Sequence, residues 1–284
     1  MIEINAAAYN VSVIVPTYNR AEYLIEAFGS VQDQTCPVSQ IIIVDDGSTD
    51  GTAEHVQNLS NQENLRYLRL SHCGMPGKVR NAGARLATGE YLAFLDSDDL
   101  WKPEKLARQI AYFEEHPDMQ ICHTREIWQR GDKTVSQAGQ KHKRSGNIFA
   151  DALKKCIIGP STVMMRRDLF GESGGFREDL EIAEDYELWL RITARYQVGY
   201  IDEPLVIKRG GHTDQLSEKY GQIEIFRIRA LLLNLEAGTF TGEQQELAAR
   251  ELVLKCRIYA AGCEKRGKTE EGSRYREIAG RYAG

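Results

Sequence analysis

The chain has 284 residues, 42% of them hydrophobic and 27% charged, with a formal net charge of −5. An acidic balance excludes a broad nucleic-acid footprint. No run reaches the roughly 18 apolar residues of a membrane span, and no basic stretch followed by a long apolar run marks a secretory leader, so a cytoplasmic protein is expected.

"VSVIVP", from Val11 to Pro16, is a short β-branched run of the kind that forms a buried strand. "AEYLIEAFGSVQDQ" follows with Leu24, Ala27, Phe28 and Val31 at helical spacing. "QIIIVDD" is a second strand that ends in acids. "DGTAEHVQNLS" reads as a helix with Asp50 as its expected cap. "LRYLRL" is a third strand, "KVRNAGARLAT" a helix with Val79, Ala82 and Leu86 on one side, and "EYLAFLD" a fourth strand. Strand and helix alternate every 25 to 30 residues or so, which predicts a mostly parallel sheet with helices on both faces. Ligands of such sheets bind at the carboxyl ends of the strands. Here three strands run into "PTYN", "VDDGS" and "LDSDD", and these ends should meet along one edge.

The middle of the chain changes character. "ICHTREIWQRGDKTVSQAG" alternates weakly and should turn at Gly131-Asp132 as a hairpin. "IIGPSTVMMRR" supplies another short strand, "AEDYELWLRITARY" an amphipathic helix, and "QVGYIDEPLVIKR" one or two strands. Beyond about residue 216 the pattern is helical, with helices expected near 216–237, 243–265 and 269–282. The division expected is a nucleotide-binding unit over 1–215 and a helical extension over 216–284. Six cysteines are scattered through the chain with no C-x-x-C pair. That excludes a zinc site of that spacing and suits reduced thiols. Cys256 and Cys263 fit one buried helix face.

"DSDD" crowds Asp96, Asp98 and Asp99 into four positions. Acids this close raise one another's pKa unless something cationic neutralises them. One reading is a solvated turn before a helix opening near Pro103, with Asp99 as its cap. The other is a divalent metal carrying a phosphorylated ligand. "VSVIVPTYNR", "IIIVDDGSTDGT", "RNAGARLATGEYLAFLDSDD" and "EDYELWLR", in that order over about residues 11–212, resemble the family 2 glycosyltransferases of GT-A fold. The resemblance implies inverting transfer of a sugar from a nucleotide-sugar, a UDP-sugar first, to an acceptor hydroxyl. The common setting of such chains is surface polysaccharide or glycoconjugate synthesis.

That resemblance assigns candidate roles. Pro16 and Tyr18 of "PTYN" line the nucleotide, with Tyr18 packing on the base. Asp46 accepts from the uracil imide, a job that suits a carboxylate, while Asp45 or Asp46 braces the turn before Gly47. Arg80 pairs with phosphate or with the DSDD acids. Residues two apart on an extended strand end point the same way, so Asp96 is assigned to the ribose and Asp98 to Mg²⁺ or Mn²⁺, which take hard oxygen ligands. Asp99 is ligand support or helix cap. His212, in "KRGGHTDQLS", is a candidate further metal or diphosphate contact. In "AEDYELW" Glu184 and Asp185 are the catalytic pair, with Asp185 as the base that takes the acceptor proton. Trp189 is either an acceptor wall or core. Lys141, His142, Lys143 and Arg144 form a solvated loop or touch an anionic membrane face, which would make the protein peripheral. The acceptor is a saccharide, a lipid-linked species or another hydroxyl compound. The C-terminal helices are a candidate oligomer surface. A sugar-1-phosphate nucleotidyltransferase is the first alternative, although the glycine-rich basic loop such enzymes usually carry after the first strand is absent from "PTYNRAEY". A non-catalytic nucleotide-sugar-binding module is the second.

Overall fold

The apolar β-branched runs become the middle of one sheet. The computed structural model describes residues 10–59, 62–131, 133–135, 142–211 and 221–283. In chain order its strands are β1 (Val11–Thr17), β2 (Gln40–Asp45), β3 (Leu65–Arg69), β4 (Tyr91–Phe94), β5 (Leu100–Trp101), β6 (Ile121–Arg130), β7 (Lys133–Val135), β8 (Val163–Arg166) and β9 (Gly199–Arg209). The order across the sheet is β3-β2-β1-β4-β8-β6-β9-β5, with β7 hairpinned onto β6. β1 to β4 pair in parallel, β8 is antiparallel to both its neighbours, and β6 and β9 return to the first direction. Most strands therefore share one direction, and the carboxyl ends of β1, β2, β4, β6 and β9 lie along one edge. Pro16 sits in β1 beyond Ile14, the last residue paired with β4, so its missing N–H leaves no ladder bond unmade on that side.

The period-two pattern of β1 and β2 serves two layers. Val13, Val15, Ile41 and Ile43 face one side. There they meet Leu24, Ala27, Phe28 and Val31 of α1 (Ala21–Gln32) and Leu106, Ile110 and Phe113 of α4 (Lys105–Glu115). Ile14, Ile42, Val44, Leu92 and Phe94 face the other. They meet Val79 and Ala82 of α3 (Pro76–Leu86) and Leu188 and Trp189 of α7 (Glu184–Thr193). Each such aliphatic or aromatic side chain contributes about 1.5–3 kcal/mol through burial. α3 approaches the sheet unusually closely, since a Cβ on Gly83 would lie 2.6 Å from the Ile14 Cγ2. α2 (Thr52–Asn58) is the crossover from β2 to β3. The Asp50 carboxylate takes the backbone N–H of Thr52 at 3.2 Å and that of Ala21 at 3.0 Å, so one acid ties down the starts of two helices.

Short helices α5 (Phe149–Lys154) and α6 (Arg167–Glu172) join the second half to α7. The tail forms α8 (Ile223–Glu236), α9 (Glu243–Lys265) and α10 (Thr269–Tyr282). The start expected near 216 falls partly outside the described residues. Ile228, Leu231, Leu252 and Cys256 of this tail belong to the same apolar cluster as Leu153 and Leu188, so the helices continue the core of the first unit. Cys256 and Cys263 are both buried on the inner side of α9, as the spacing suggests.

Two alternatives left open in the sequence are decided here. Asp99 caps no helix, because α4 begins at Lys105 with Glu104 at its N-cap position. Trp189 is core, 2% exposed, with its ring edge-on to Phe176.

Candidate active site

The edge formed by the strand ends gathers most of the residues singled out in the sequence. At the end of β1, Tyr18 is 41% exposed and stacks on His72, ring centroids 4.0 Å apart. Asn19 adopts the left-handed conformation (φ 49°). It links this turn to the next one: its N–H donates to Ser48 Oγ at 2.8 Å and its side chain accepts from Thr49 N at 2.7 Å. At the end of β2 the two acids divide their work. Asp45 is fully buried, accepts from Ser48 N at 2.8 Å and from the Tyr67 hydroxyl at 2.6 Å, and braces the turn. Asp46 accepts from the backbone N–H of Cys73 and of Gly74, both at 2.9 Å, with His72 Nδ1 also at 2.9 Å. Tyr18 and His72 thus stand as a stacked pair beside the Asp46 carboxylate.

At the end of β4 the acids meet cations from three other elements. Arg80 of α3 is 6% exposed. Its Nη2 donates to Asp96 at 2.6 Å and its Nη1 to Glu184. Arg20 Nη1 pairs with Asp98 at 2.5 Å. Lys208, near the end of β9, stands 3.6 Å from Asp99, and Arg209 Nε donates to the Asp98 carbonyl at 2.6 Å. Ser161 closes the cluster: its hydroxyl donates to Asp99 at 2.6 Å and accepts from Asp96 N at 3.1 Å. Burial pushes the Asp96 carboxyl up, but Arg80, Lys208 and Arg20 outweigh it, and the pKa lies below the usual carboxylate range. Asp99 goes the other way. Burial, then Asp96 and Asp98, push it up to about 7 against the pull of Lys208. The crowding of like charges is therefore relieved by cations of the same chain and by one acid that holds a proton near neutrality.

The catalytic candidates sit at the start of α7. The residue before them, Ala183, is in the left-handed region (φ 65°), a rare state for a residue with a Cβ. The sharp entry turns Glu184 toward Arg80 and leaves Asp185 on the open side. α3 reaches this turn because Gly77 lets the backbones touch: a Cβ there would lie 2.4 Å from the Arg177 carbonyl. Burial, with Asp185 adding to it, raises the Glu184 carboxyl to about 7 against the attraction of Arg80. Asp185 accepts from Tyr186 N at 2.6 Å and from the Cys156 thiol at 3.4 Å.

Arg80 thus joins the DSDD acids, one of its two expected partner types, and it is neither exposed nor pointed at solvent. His212 lies outside the described residues. Arg20, Lys208, Arg209 and Ser161 are site residues that the sequence reading did not assign. Arg20 stands in the quoted "PTYNR", and "IKR" ends a strand directed at the same edge, so their position carried a signal. Their partners did not.

Among the described residues, no three His, Cys, Asp or Glu side chains are grouped to hold a metal unaided. The donor set fits an ion that brings most of its ligands as diphosphate oxygens and water, with Asp98 supplying a protein oxygen. Among the described residues no helix is long and apolar enough to cross a membrane.

Comparison with known proteins matches this arrangement. Residues 12–174 match the glycosyl transferase family 2 profile. An uncharacterized glycosyltransferase of Rickettsia felis is 35% identical over 229 residues, covering 79% of this chain and 37% of that protein. The chain therefore spans little more than a third of the length of that relative. The poly(ribitol-phosphate) beta-N-acetylglucosaminyltransferase TarS of Staphylococcus aureus is 41% identical over 178 residues, 61% of this chain and 30% of that protein. The crystal structure of TarS residues 1–349 with UDP-GlcNAc superposes with a TM-score of 0.65 at 21% identity, covering 96% of this chain and 91% of that one. A mannosyltransferase from Pyrobaculum calidifontis, solved with GDP-Man and Mn²⁺, gives a TM-score of 0.60 at 19% identity, covering 96% and 87%. These likenesses establish a GT-A fold.

Proposed function

The chain belongs to glycosyl transferase family 2, and from that premise we propose that it moves a sugar from a UDP-sugar to an acceptor hydroxyl, with inversion, in the synthesis of a surface polysaccharide or glycoconjugate. The observation that carries the proposal is Arg80. One buried guanidinium grips Asp96 on the donor side and Glu184 on the acceptor side, which fixes the two halves of the reaction relative to each other. The polymer named for TarS and the UDP-GlcNAc in its structure favour this setting and donor.

In this reading the base of the nucleotide enters between Tyr18 and the Asp46 carboxylate, beside Pro16. Asp46 is held by two backbone N–H groups, by His72 Nδ1 and by the Cys73 thiol, so the base would take its carboxylate by displacing the His72 or thiol contact. Asp96, held in place by Arg80, faces the ribose. Asp98 would hold a Mg²⁺ or Mn²⁺, for which it must leave Arg20; the ion supplies charge stabilisation to the departing diphosphate. Arg20 and Lys208 remain as nearby cations for phosphate oxygens. Asp185 accepts the proton of the attacking hydroxyl, on the face of the sugar opposite the leaving group. Glu184 is a positioning residue, because its oxygens are turned to Arg80. A single displacement requires one base and no protein nucleophile, which matches one free carboxylate at this position.

The test is thermal unfolding of the chain with UDP, GDP, CDP and dTDP, each with and without Mn²⁺. A ligand bound only by the native state raises the midpoint by mass action, by about 2.7 kcal/mol at a hundredfold excess over Kd. A Mn²⁺-dependent rise with UDP alone is expected. A rise confined to another nucleotide transfers the donor assignment to that base, and no rise with any of them removes the catalytic reading in favour of a degenerate fold.

A further inference from the structure

An ionised carboxylate offers about four acceptor sites, and at Asp46 four donors of the described residues stand against them. Oδ1 accepts from Cys73 N at 2.9 Å and from the Cys73 thiol at 3.1 Å. Oδ2 accepts from Gly74 N at 2.9 Å and lies 2.9 Å from His72 Nδ1. The same nitrogen lies 3.0 Å from the Asp46 carbonyl oxygen. Both oxygens are acceptors, which assigns a proton to Nδ1. A base that is to be read by this carboxylate must first remove one of the four.

His72 also takes the aromatic face. Its imidazole lies flat on Tyr18, with ring centroids 4.0 Å apart and planes within 16° of parallel. At that separation the two faces are in contact, and no third ring fits between them. One side chain therefore holds both features that a base would use at this edge, the flat face of Tyr18 and an oxygen of Asp46. It does so as a base would, as a planar heterocycle with a ring N–H directed at the carboxylate.

The four donors differ in their freedom to leave. The two backbone N–H groups are fixed, because the main chain that carries them is pinned to the strand-end turns. Leu70 N donates to the Asp45 carbonyl at 2.8 Å, and a Cβ on Gly47 would lie 2.8 Å from His72 N. The Cys73 thiol can turn about its Cβ–Sγ bond, but its departure leaves Tyr18 covered. The His72 side chain is 48% exposed. A change of χ1 to another staggered position takes its ring off Tyr18 and away from Oδ2 while the main chain stays in place.

We propose that His72 is an internal stand-in for the nucleobase, a plug that holds the base site closed until its ring swings off Tyr18 and releases Asp46. The inference rests on the nucleotide reading given above. It makes donor binding a competition within the chain. The apparent Kd is the intrinsic one divided by the fraction of molecules in which His72 has swung out. Every nucleotide meets the same plug, so His72 lowers affinity in general and leaves the choice of base to Asp46.

The test is calorimetric titration of UDP, with Mn²⁺, into the native chain, His72→Ala and Cys73→Ala. His72→Ala should bind UDP about tenfold more tightly than the native chain, the scale of one charge-assisted contact removed from the competition. Cys73→Ala should bind it as the native chain does. In the native chain labelled with ¹⁵N-histidine, UDP should release one histidine from the Nδ1-protonated form, a measurement that needs no variant to fold. Weaker binding by His72→Ala overturns the proposal, because the ring is then a wall of the base site and not its occupant. Equal binding overturns it as well, and so does a gain in Cys73→Ala alone, which moves the role to the thiol. A histidine that keeps its Nδ1 proton when UDP is bound has the same consequence. If UDP binds the native chain, any such failure belongs to this inference alone. If UDP binds neither the native chain nor His72→Ala, the donor reading has failed and this inference falls with it.

Discussion

Arg80 and Lys105 are buried cations on opposite faces of the same sheet, 6% and 0% exposed, and their surroundings are opposite in kind. Arg80 is given two carboxylates, Asp96 and Glu184. Burial alone would lower its pKa, but those acids outweigh it and the pKa is raised. Lys105 is given the Gln109 side-chain carbonyl at 2.7 Å and the face of Trp101 at 3.9 Å, with no acid in contact among the described residues. Burial pushes its ammonium down to about 7. The first arrangement holds charges fixed in a low-dielectric site where they can position reacting groups. The second tolerates a basic side chain by letting it lose its proton. Burial of a charge is thus informative about function only together with what the fold places opposite it.

The largest effects should come from the Arg80 side, and two substitutions separate positioning from chemistry. Asp185→Asn keeps the shape and the hydrogen bond from Tyr186 N while removing the base. The expected loss in transfer rate is about 10²–10⁴-fold, with the UDP-induced rise in unfolding temperature intact. Transfer at the native rate would remove Asp185 from its role. Arg80→Met strands the buried Glu184 and the half-buried Asp96 without their shared cation. Breaking a buried pair in this way costs about 3–5 kcal/mol, or on the order of 10 °C in midpoint for a chain of this size. A midpoint within 2 °C or so of the native one would mean that the two acids relax into water at little cost and that Arg80 does not tie the halves together.

The parallel half was legible because its signals are local. The alternation in "VSVIVP" and "QIIIVDD", the helical spacing between them and the acids at strand ends together specify which side chains reach the edge. Asp45 braces the turn before Gly47, one of the two acids its neighbourhood suggested, and Arg80 follows from "KVRNAGARL" once the helix is recognised. Contacts made far along the chain were not legible. Ser161 reaches Asp99 across 62 positions and Arg209 reaches Asp98 across 111, so nothing near "DSDD" announces either partner. Helical geometry alone leaves Trp189 between acceptor wall and core. It lies one turn from Asp185, yet it is buried against Phe176 while Asp185 stays on the open side. Lys105 looks in sequence like an ordinary first-turn lysine, and only the overlying Trp101 shows that it is enclosed.

Lys105 gives the smaller and sharper test of the comparison. A lysine whose folded pKa is about 7 and whose unfolded pKa is 10.5 binds fewer protons in the folded state between those values. Stability therefore rises with pH across that window. Below pH 7 the native chain carries nearly the whole penalty of a buried ammonium, with a ceiling of roughly 5 kcal/mol; above 10.5 it carries none. Cys122 does not provide a counter-charge, because burial pushes its thiol up to about 12. Lys105→Met removes the titration but leaves the Gln109 carbonyl without its donor, at about 1–3 kcal/mol. The variant should accordingly be the more stable chain at pH 6.5 and lose that advantage by pH 10, with the order of the two midpoints reversing between. Scans of both chains at matched pH cancel the titrations they share. A gap that stays constant from pH 6.5 to 10 would show that Lys105 keeps its proton throughout, and the contrast between the two faces would then rest on something other than protonation.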